Sequence, residues 1–193
     1  MERQRQPSFH VASTAEVAAI APERDDRSPP AFSNHDDRHD ILLATLGALA
    51  AEQSLDQIVT VLRRSARAIL DADGVTIIRR EGKRVHYIAE DAIGPLWSGQ
   101  NFAIDACISG IAMLENRPIV IPDIQDDPRV PIEAYRPTFV RSMAMFPIGC
   151  SAPKWAMGAY WSATGTPDPE ALKLLGSLAR AAASSFESLE RKG

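Results

Sequence analysis

The sequence predicts an α+β fold in which an antiparallel sheet packs against helices, and three observations predict it. Apolar residues recur at helical spacing near both ends of the ordered chain, over 55–70 and 166–191. Two pairs of apolar runs, 75–78 with 84–89 and 142–148 with 155–161, lie close enough in sequence to make antiparallel hairpins. Between the pairs, Pro122, Pro128, Pro131 and Pro137 exclude a continuous helix or a central strand from a long connection. Strands bracketed by helices, with a hairpin at each end of the sheet, make a sandwich rather than a doubly wound sheet.

In chain order, residues 1–38 are rich in Pro, Arg, Asp and Ser without a sustained apolar period, which predicts a disordered tail. Within it, Ser13-x-x-Glu16 is a cap pattern that allows one short helix over 11–21. Residues 39–193 then form one domain with flanking helices. Ile41, Leu42, Leu46, Leu49 and Ala50 predict a helix over 40–52. Ser54-x-x-Gln57 is a capping box, and behind it Leu55, Ile58, Val59, Leu62, Ala66, Ile69 and Leu70 share one helix face. Gly74 suits the C-terminus of that helix, and the β-branched run 75–78 follows as a strand. Glu81-Gly82 turns the chain into a partner strand over 84–89. An irregular stretch, 91–101, carries Gly94-Pro95 and Gly99 and leads to a short strand at 102–104. Asp105 is placed to cap a helix over 106–115, and Ile119 to Ile121 make a short strand before the Pro-rich connection. The last helix begins at Thr166-Pro167-Asp168-Pro169-Glu170 with proline in its first turn, and Leu172, Leu175, Leu178, Ala182, Phe186 and Leu189 form its apolar stripe.

At 193 residues the chain holds one ordinary domain with flanking segments. Apolar residues at 45% and charged residues at 24% are the proportions of a soluble globular protein. No apolar run approaches the roughly 18 residues of a membrane helix, so no membrane partner is expected. A net charge of −4 with both signs interspersed argues against a nucleic-acid partner. The basic start, residues 1–6, is followed by Ser8, His10, Ser13, Thr14 and Glu16 where a secretory leader needs an apolar core. Cys107 and Cys150 have no spacing partner for zinc or a disulfide framework, which fits a reducing cytoplasm.

The densest information lies between residues 108 and 148. There Ser109-Gly110-Ile111-Ala112 opens a helix, Asn116-Arg117-Pro118-Ile119-Val120-Ile121-Pro122-Asp123-Ile124 follows, then Asp127-Pro128-Arg129 and Tyr135-Arg136-Pro137, and finally the apolar strand 142–148. That order resembles a GAF domain, of the kind found beside bacterial histidine kinases of the HWE type, and the resemblance covers residues 55–189. It implies a central antiparallel sheet of about six strands with helices on both faces. The first and last helices would share one face, with a ligand cavity under the other. It also implies a cavity walled by the 106–115 helix, the Pro-rich crossover and the sheet residues facing them.

Departures from the family's better-known members narrow the expectation. Cyclic-nucleotide-binding members place Asn-Lys after the last strand and a Phe shortly before Asp-Glu at the terminal helix, where this chain has Trp161-Ser162 and 167–170. Members that attach bilin use a Cys often followed by His, and neither Cys107-Ile108 nor Cys150-Ser151 matches. The enzymatic branch, free methionine sulfoxide reductase, has a Cys just before the Gly corresponding to Gly110. Here that residue is Ser109, and 123–132 contains no cysteine. Without attacking and resolving thiols, disulfide chemistry has no route.

The residues expected to touch a ligand are Trp97, Cys107, Ser109, Tyr135, Arg141 and Met143, a few polar contacts in a mostly apolar pocket. Each has a plainer reading. Tyr and Trp pack cores with one satisfied polar atom, and Met143 and Met145 alternate along a strand as core fillers do. Cys107, in the first turn of a helix, would have a lowered thiol pKa suited to redox sensing, or it is simply a small buried apolar residue. Asp123 is expected to fix its loop through local backbone N–H groups, with Arg129 a candidate partner. His35 and His39 stand at i, i+4, a metal-ligand spacing, yet the run 35–40 reads better as a solvated charge run.

These readings predict a non-catalytic, cytoplasmic sensor that binds an unidentified small molecule and names no cofactor. Its terminal helices have apolar faces that suit a homodimer, and its output would pass to a signalling protein in trans, such as a histidine kinase. The alternatives are an interaction module without a ligand, and a Cys107-based redox sensor or reductase.

Overall fold

The computed structural model describes residues 35–51 and 54–192. Most of the predicted tail, including the short helix at 11–21, lies outside the described residues. The elements are α1 (His35–Ala51), α2 (Leu55–Leu70), β1 (Gly74–Glu81), β2 (Arg84–Ala92), β3 (Asn101–Ala103), α3 (Ile108–Glu115), β4 (Ile119–Ile121), α4 (Ile132–Tyr135), β5 (Ser142–Ile148), β6 (Trp155–Trp161) and α5 (Pro169–Lys192). The strands form one sheet in the order β3-β2-β1-β6-β5-β4. Every neighbouring pair is antiparallel. The fold is α+β, with helices on both faces of six strands.

One face carries α1, α2 and α5. The Ser54 hydroxyl caps α2 by accepting from Gln57 N–H at 3.3 Å, and Ile58, Val59, Leu62, Ala66, Ile69 and Leu70 are buried along the expected stripe. In α5, Leu175, Leu178, Ala182 and Phe186 face the same core, where Trp155 stacks on Phe186 with ring centroids 4.1 Å apart. Asp168 Oδ1 accepts from Glu170 N–H at 3.0 Å, so the helix starts at Pro169 rather than at Thr166. α1 begins at His35, earlier than its apolar spacing predicts. Its first turn is tied to the start of α5 by an Arg38–Asp168 ion pair and by His39 Nε2 at 3.9 Å from Glu170 Oε1. Within the run 35–40, Arg38 and His39 therefore dock on α5, while Asp40 is exposed as a solvated charge run predicts. Such long-range pairs leave no periodic signal.

The end of α2 also departs from expectation. Asp71, with φ 49°, supplies the left-handed C-cap, while Gly74 opens β1. Gly74 is required for space, since a Cβ there would lie 2.8 Å from Ala92 Cβ and 2.9 Å from Phe139 Cζ. Beyond it, β1 and β2 run longer than predicted because their ladder continues from Gly74↔Ala92 to Glu81↔Arg84.

The other face carries α3 and the irregular segments. Asp105 does not cap α3; Cys107 is the N-cap, extended at φ −148°, with no side-chain cap bond. The chain before the helix folds so tightly over its first turn that a Cβ on Gly110 would lie 1.7 Å from Ile104 O. Within the Pro-rich connection, one short helix, α4, fits between Pro131 and Pro137. Asp123 Oδ1 accepts from Gln125 N–H at 2.8 Å, as a loop-fixing Asp does. Arg129 pairs instead with Asp127, two residues away, which holds the Asp127 carboxyl below its usual range.

Candidate functional site

The site is built on the α3 face, where alternate residues of the central strands turn inward. Met143 and Met145 of β5 and Tyr160 of β6 project to this side, while Ala144, Phe146 and Met157 join the helix-face core. From β2 comes Tyr87, and from α3 come Ile108, Ser109 and Met113, all buried. Trp97, on the loop after β2, closes the set with its indole 5% exposed.

The aromatic rings meet edge to face, the arrangement their quadrupoles favour. Trp97 lies 4.8 Å from Tyr135, 5.5 Å from Tyr160 and 5.6 Å from Tyr87, centroid to centroid, and Phe102 flanks Tyr87 at 5.5 Å. Polar atoms in the same interior are satisfied unequally. Trp97 Nε1–H donates to Ala134 O at 3.2 Å. The Tyr160 hydroxyl lies 3.0 Å from Thr76 Oγ1, and Tyr87 Oη lies 3.2 Å from Ser109 Oγ. Tyr135 Oη–H reaches only Met143 Sδ, at 3.7 Å, and a thioether is a weak acceptor.

Cys107 Sγ lies 3.3 Å from Ser109 Oγ and its thiol donates to Ala103 O at 3.5 Å. Burial pushes this thiol's pKa up, outweighing the hydrogen bonds from Ser109 and Gly110 at the helix start that would lower it. The expected depression by the helix N-terminus is thus corrected: desolvation wins, and the group is a neutral thiol at pH 7. Burial likewise raises the pKa of Tyr87, Tyr135 and Tyr160. Among the described residues no Asp, Glu, Lys or Arg is buried. The interior therefore offers neutral hydroxyls, one thiol and aromatic walls, a chemistry of hydrogen bonding and ring contact.

Trp97, Cys107, Ser109, Tyr135 and Met143 are all in this interior, while Arg141 stands exposed outside it, beside Tyr135 in a surface groove of about 130 Å³. A larger groove of about 370 Å³ lies above the indole, lined by Pro95, Leu96, Trp97, Gln100, Phe102, Ala134, Pro137 and Thr138. Trp97 separates that groove from the buried hydroxyls. Tyr87, Tyr160, Thr76 and Glu90 escaped the sequence reading. Tyr87 follows Val85 at the two-residue spacing of an inward strand face, which is the signal that marks it, whereas nothing in the sequence distinguishes Glu90 from a surface carboxylate.

The family model for the GAF domain matches residues 52–187, which spans α2 through most of α5. No curated protein matches the sequence. Solved structures match in fold. The GAF domain of a phosphoenolpyruvate-protein phosphotransferase from Coxiella burnetii superposes with a TM-score of 0.73 at 16% identity, covering 83% of this chain and 99% of that one. The free methionine-R-sulfoxide reductase of Neisseria meningitidis, solved with its substrate, gives 0.68 at 15%, covering 81% and 92%. The chromophore-binding domain of a bacteriophytochrome from R. palustris gives 0.68 at 14%, covering 81% of this chain and 62% of that one. With its six-stranded sheet, its two helical layers and a family match over most of its length, the chain belongs to the GAF domain family, a family of sensory modules.

Proposed function

We infer that this protein is a non-catalytic sensor that takes a small molecule into the α3 face and passes its binding state to a signalling protein through α1 and α5. The observation that carries this reading is the pairing of an open groove of about 370 Å³ with a buried, uncharged hydroxyl cluster directly beneath it. A cluster that existed only for packing would not gather three tyrosine hydroxyls and leave one of them with a thioether as its partner. Related folds are put to such use: the reductase was solved with its substrate, and the bacteriophytochrome domain binds a chromophore.

Output through the terminal helices is supported by their packing. α1 and α5 lie side by side, with Ser185 Oγ–H donating to Leu49 O at 3.2 Å, and Leu43 of α1 is 66% exposed. A groove between them, lined by Leu46, Ala50, Ala181 and Leu189 among others, suits a second copy or a partner helix. A ligand acts on this layer only if it binds one arrangement of it better than another. The partner fits a histidine kinase, and the self-associated state a homodimer in the cytoplasm.

Native mass spectrometry of freshly purified protein, followed by denaturation, tests the ligand half of the reading. A released small molecule supports it. Protein of unmodified mass with nothing released favours the interaction module, which the close aromatic packing of the interior also accommodates. Size-exclusion chromatography with light scattering tests the dimer, and a monomer at high micromolar concentration removes it.

A further inference from the structure

Trp97 is buried like a core residue but anchored unlike one. Tyr87 and Tyr160 sit in strands whose ladders fix their backbones. Trp97 sits on a loop whose two ends are pinned, by Ile93 N–H to Asp73 O at 2.9 Å and by Gly99 N–H to Tyr87 O at 2.8 Å. Within the segment Gln100 N–H donates to Trp97 O at 2.9 Å, and a single side chain holds the main-chain N–H groups on either side of the indole. Leu96 N–H donates to Glu90 Oε1 at 3.2 Å and Ser98 N–H to Glu90 Oε2 at 2.8 Å, so the one carboxylate grips the loop on either side of Trp97. Gly94 and Gly99, the latter at φ 81°, stand at the ends of the gripped segment and give it hinges.

Outward movement of this segment breaks the two Glu90 bonds, the Trp97–Ala134 bond and the Gln100 N–H to Trp97 O turn bond, and joins the outer groove to the interior. The space vacated is the shape of an indole. Three tyrosine rings wall it edge to face, Ala134 O waits for an N–H donor, and the Tyr135 hydroxyl gains access to a better acceptor than sulfur. With no buried Lys or Arg on the wall and the Glu90 carboxylate near Tyr160, an anionic ligand would pay a desolvation cost that nothing offsets.

We propose that Trp97 is a built-in plug latched by Glu90, and that the ligand displacing it is a neutral bicyclic aromatic molecule with an N–H donor, of the indole class. The proposal rests on the ligand-binding reading above and supplies its ligand class and its gate. Apparent affinity is the intrinsic affinity multiplied by the fraction of molecules with the plug out. Loosening the latch therefore tightens binding without changing a single contact to the ligand.

The test uses the full chain labelled with ¹⁵N. Its three tryptophans give three indole N–H resonances, and Trp97→Phe identifies the one that belongs to Trp97. Titration with indole is expected to move the Trp97 resonance and leave those of Trp155 and Trp161 in place. Glu90→Gln, which keeps the side-chain shape and one acceptor oxygen, is expected to bind indole about tenfold more tightly. Benzoate, a charged single ring, is expected to do neither. An unmoved Trp97 resonance in both wild type and Glu90→Gln overturns the proposal, as does displacement by benzoate as effective as by indole. The release experiment separates this failure from that of the sensor reading. A charged or non-aromatic molecule released on denaturation leaves the sensor and removes the plug. Nothing released and no response to indole removes both.

Discussion

The two faces of the sheet are built from different materials. On the α1, α2 and α5 side the core is aliphatic, laid down in stripes that three helices bring together, with Trp155 and Phe186 stacked at one end. On the α3 side the core is aromatic and sulfur-rich, contains hydroxyls, and is closed by loops and helices of eight residues or fewer. Regular helices carrying branched side chains fill space in one way, which gives cohesion. Methionines and irregular chain can fill it in several, which makes this interior the more adaptable of the two. The contrast assigns stability to one face and adaptability to the other.

The sharpest way to break that assignment is to cut equivalent amounts from each side. Leu62, fully buried in α2, is expected to cost about 2–5 kcal/mol when changed to Ala, read by urea denaturation. Met143→Ala, an equally buried truncation on the α3 face, is expected to cost less than Leu62→Ala, near the lower end of that range of about 2–5 kcal/mol, by the same measurement, because irregular chain can close around the cavity. Equal losses would mean that the second face is packed as rigidly as the first. One position on the α3 side is an exception that clarifies the rule. Gly110→Ala places a Cβ against the Ile104 carbonyl, a backbone atom that cannot rotate away, and is expected to cost about 1–3 kcal/mol or more as α3 is pushed off the sheet.

The same contrast explains what the sequence made legible. Stripes at 3.6-residue spacing mark α2 and α5, because one buried face imprints its period on the chain, and continuous apolar runs separated by a turn mark β5 and β6, which are buried on both faces. The sequence puts Gly110 at the head of a helix, but the reason it must be Gly, the turn at Ile104, is a close approach invisible in one dimension. Trp97, Ser109, Tyr135 and Met143 could be nominated for the interior by residue type. Arg141 could not be excluded by type, and it faces outward. Glu90 lacked any signal, because its partners are main-chain N–H groups six and eight residues ahead, and backbone donors carry no residue signature.

A smaller effect separates the faces by pH. Cys107 has an ordinary value of 9.0 and the three tyrosines 10.0, and burial raises all four in the folded state. Groups raised on folding contribute stability that is complete below their unfolded values. Above pH 9 the unfolded chain releases these protons while the native chain retains them, so stability falls as pH rises. Urea midpoints are expected to stay level with respect to these groups from pH 7 to 8 and to decline from pH 9 to 11. Cys107→Ala should remove the earliest part of the decline. An identical decline in that variant would show that the thiol contributes nothing to it.

The smallest expected effect is the most informative about the interior. Tyr160 and Tyr135 are both buried, but removing their hydroxyls should not be equivalent. Tyr160→Phe leaves Thr76 Oγ1, at 0% exposure for its residue, without its 3.0 Å partner, and should cost about 1–2 kcal/mol. Tyr135→Phe strands only a thioether and removes a poorly bonded hydroxyl, so its cost should lie within about 0.5 kcal/mol of zero. A polar group that stability does not need is one that a binding site can hold in reserve. Were Tyr135→Phe to cost as much as Tyr160→Phe, the hydroxyl would already be fully engaged in the folded protein. The two faces would then differ in the kinds of atoms they bury but not in how completely they satisfy them.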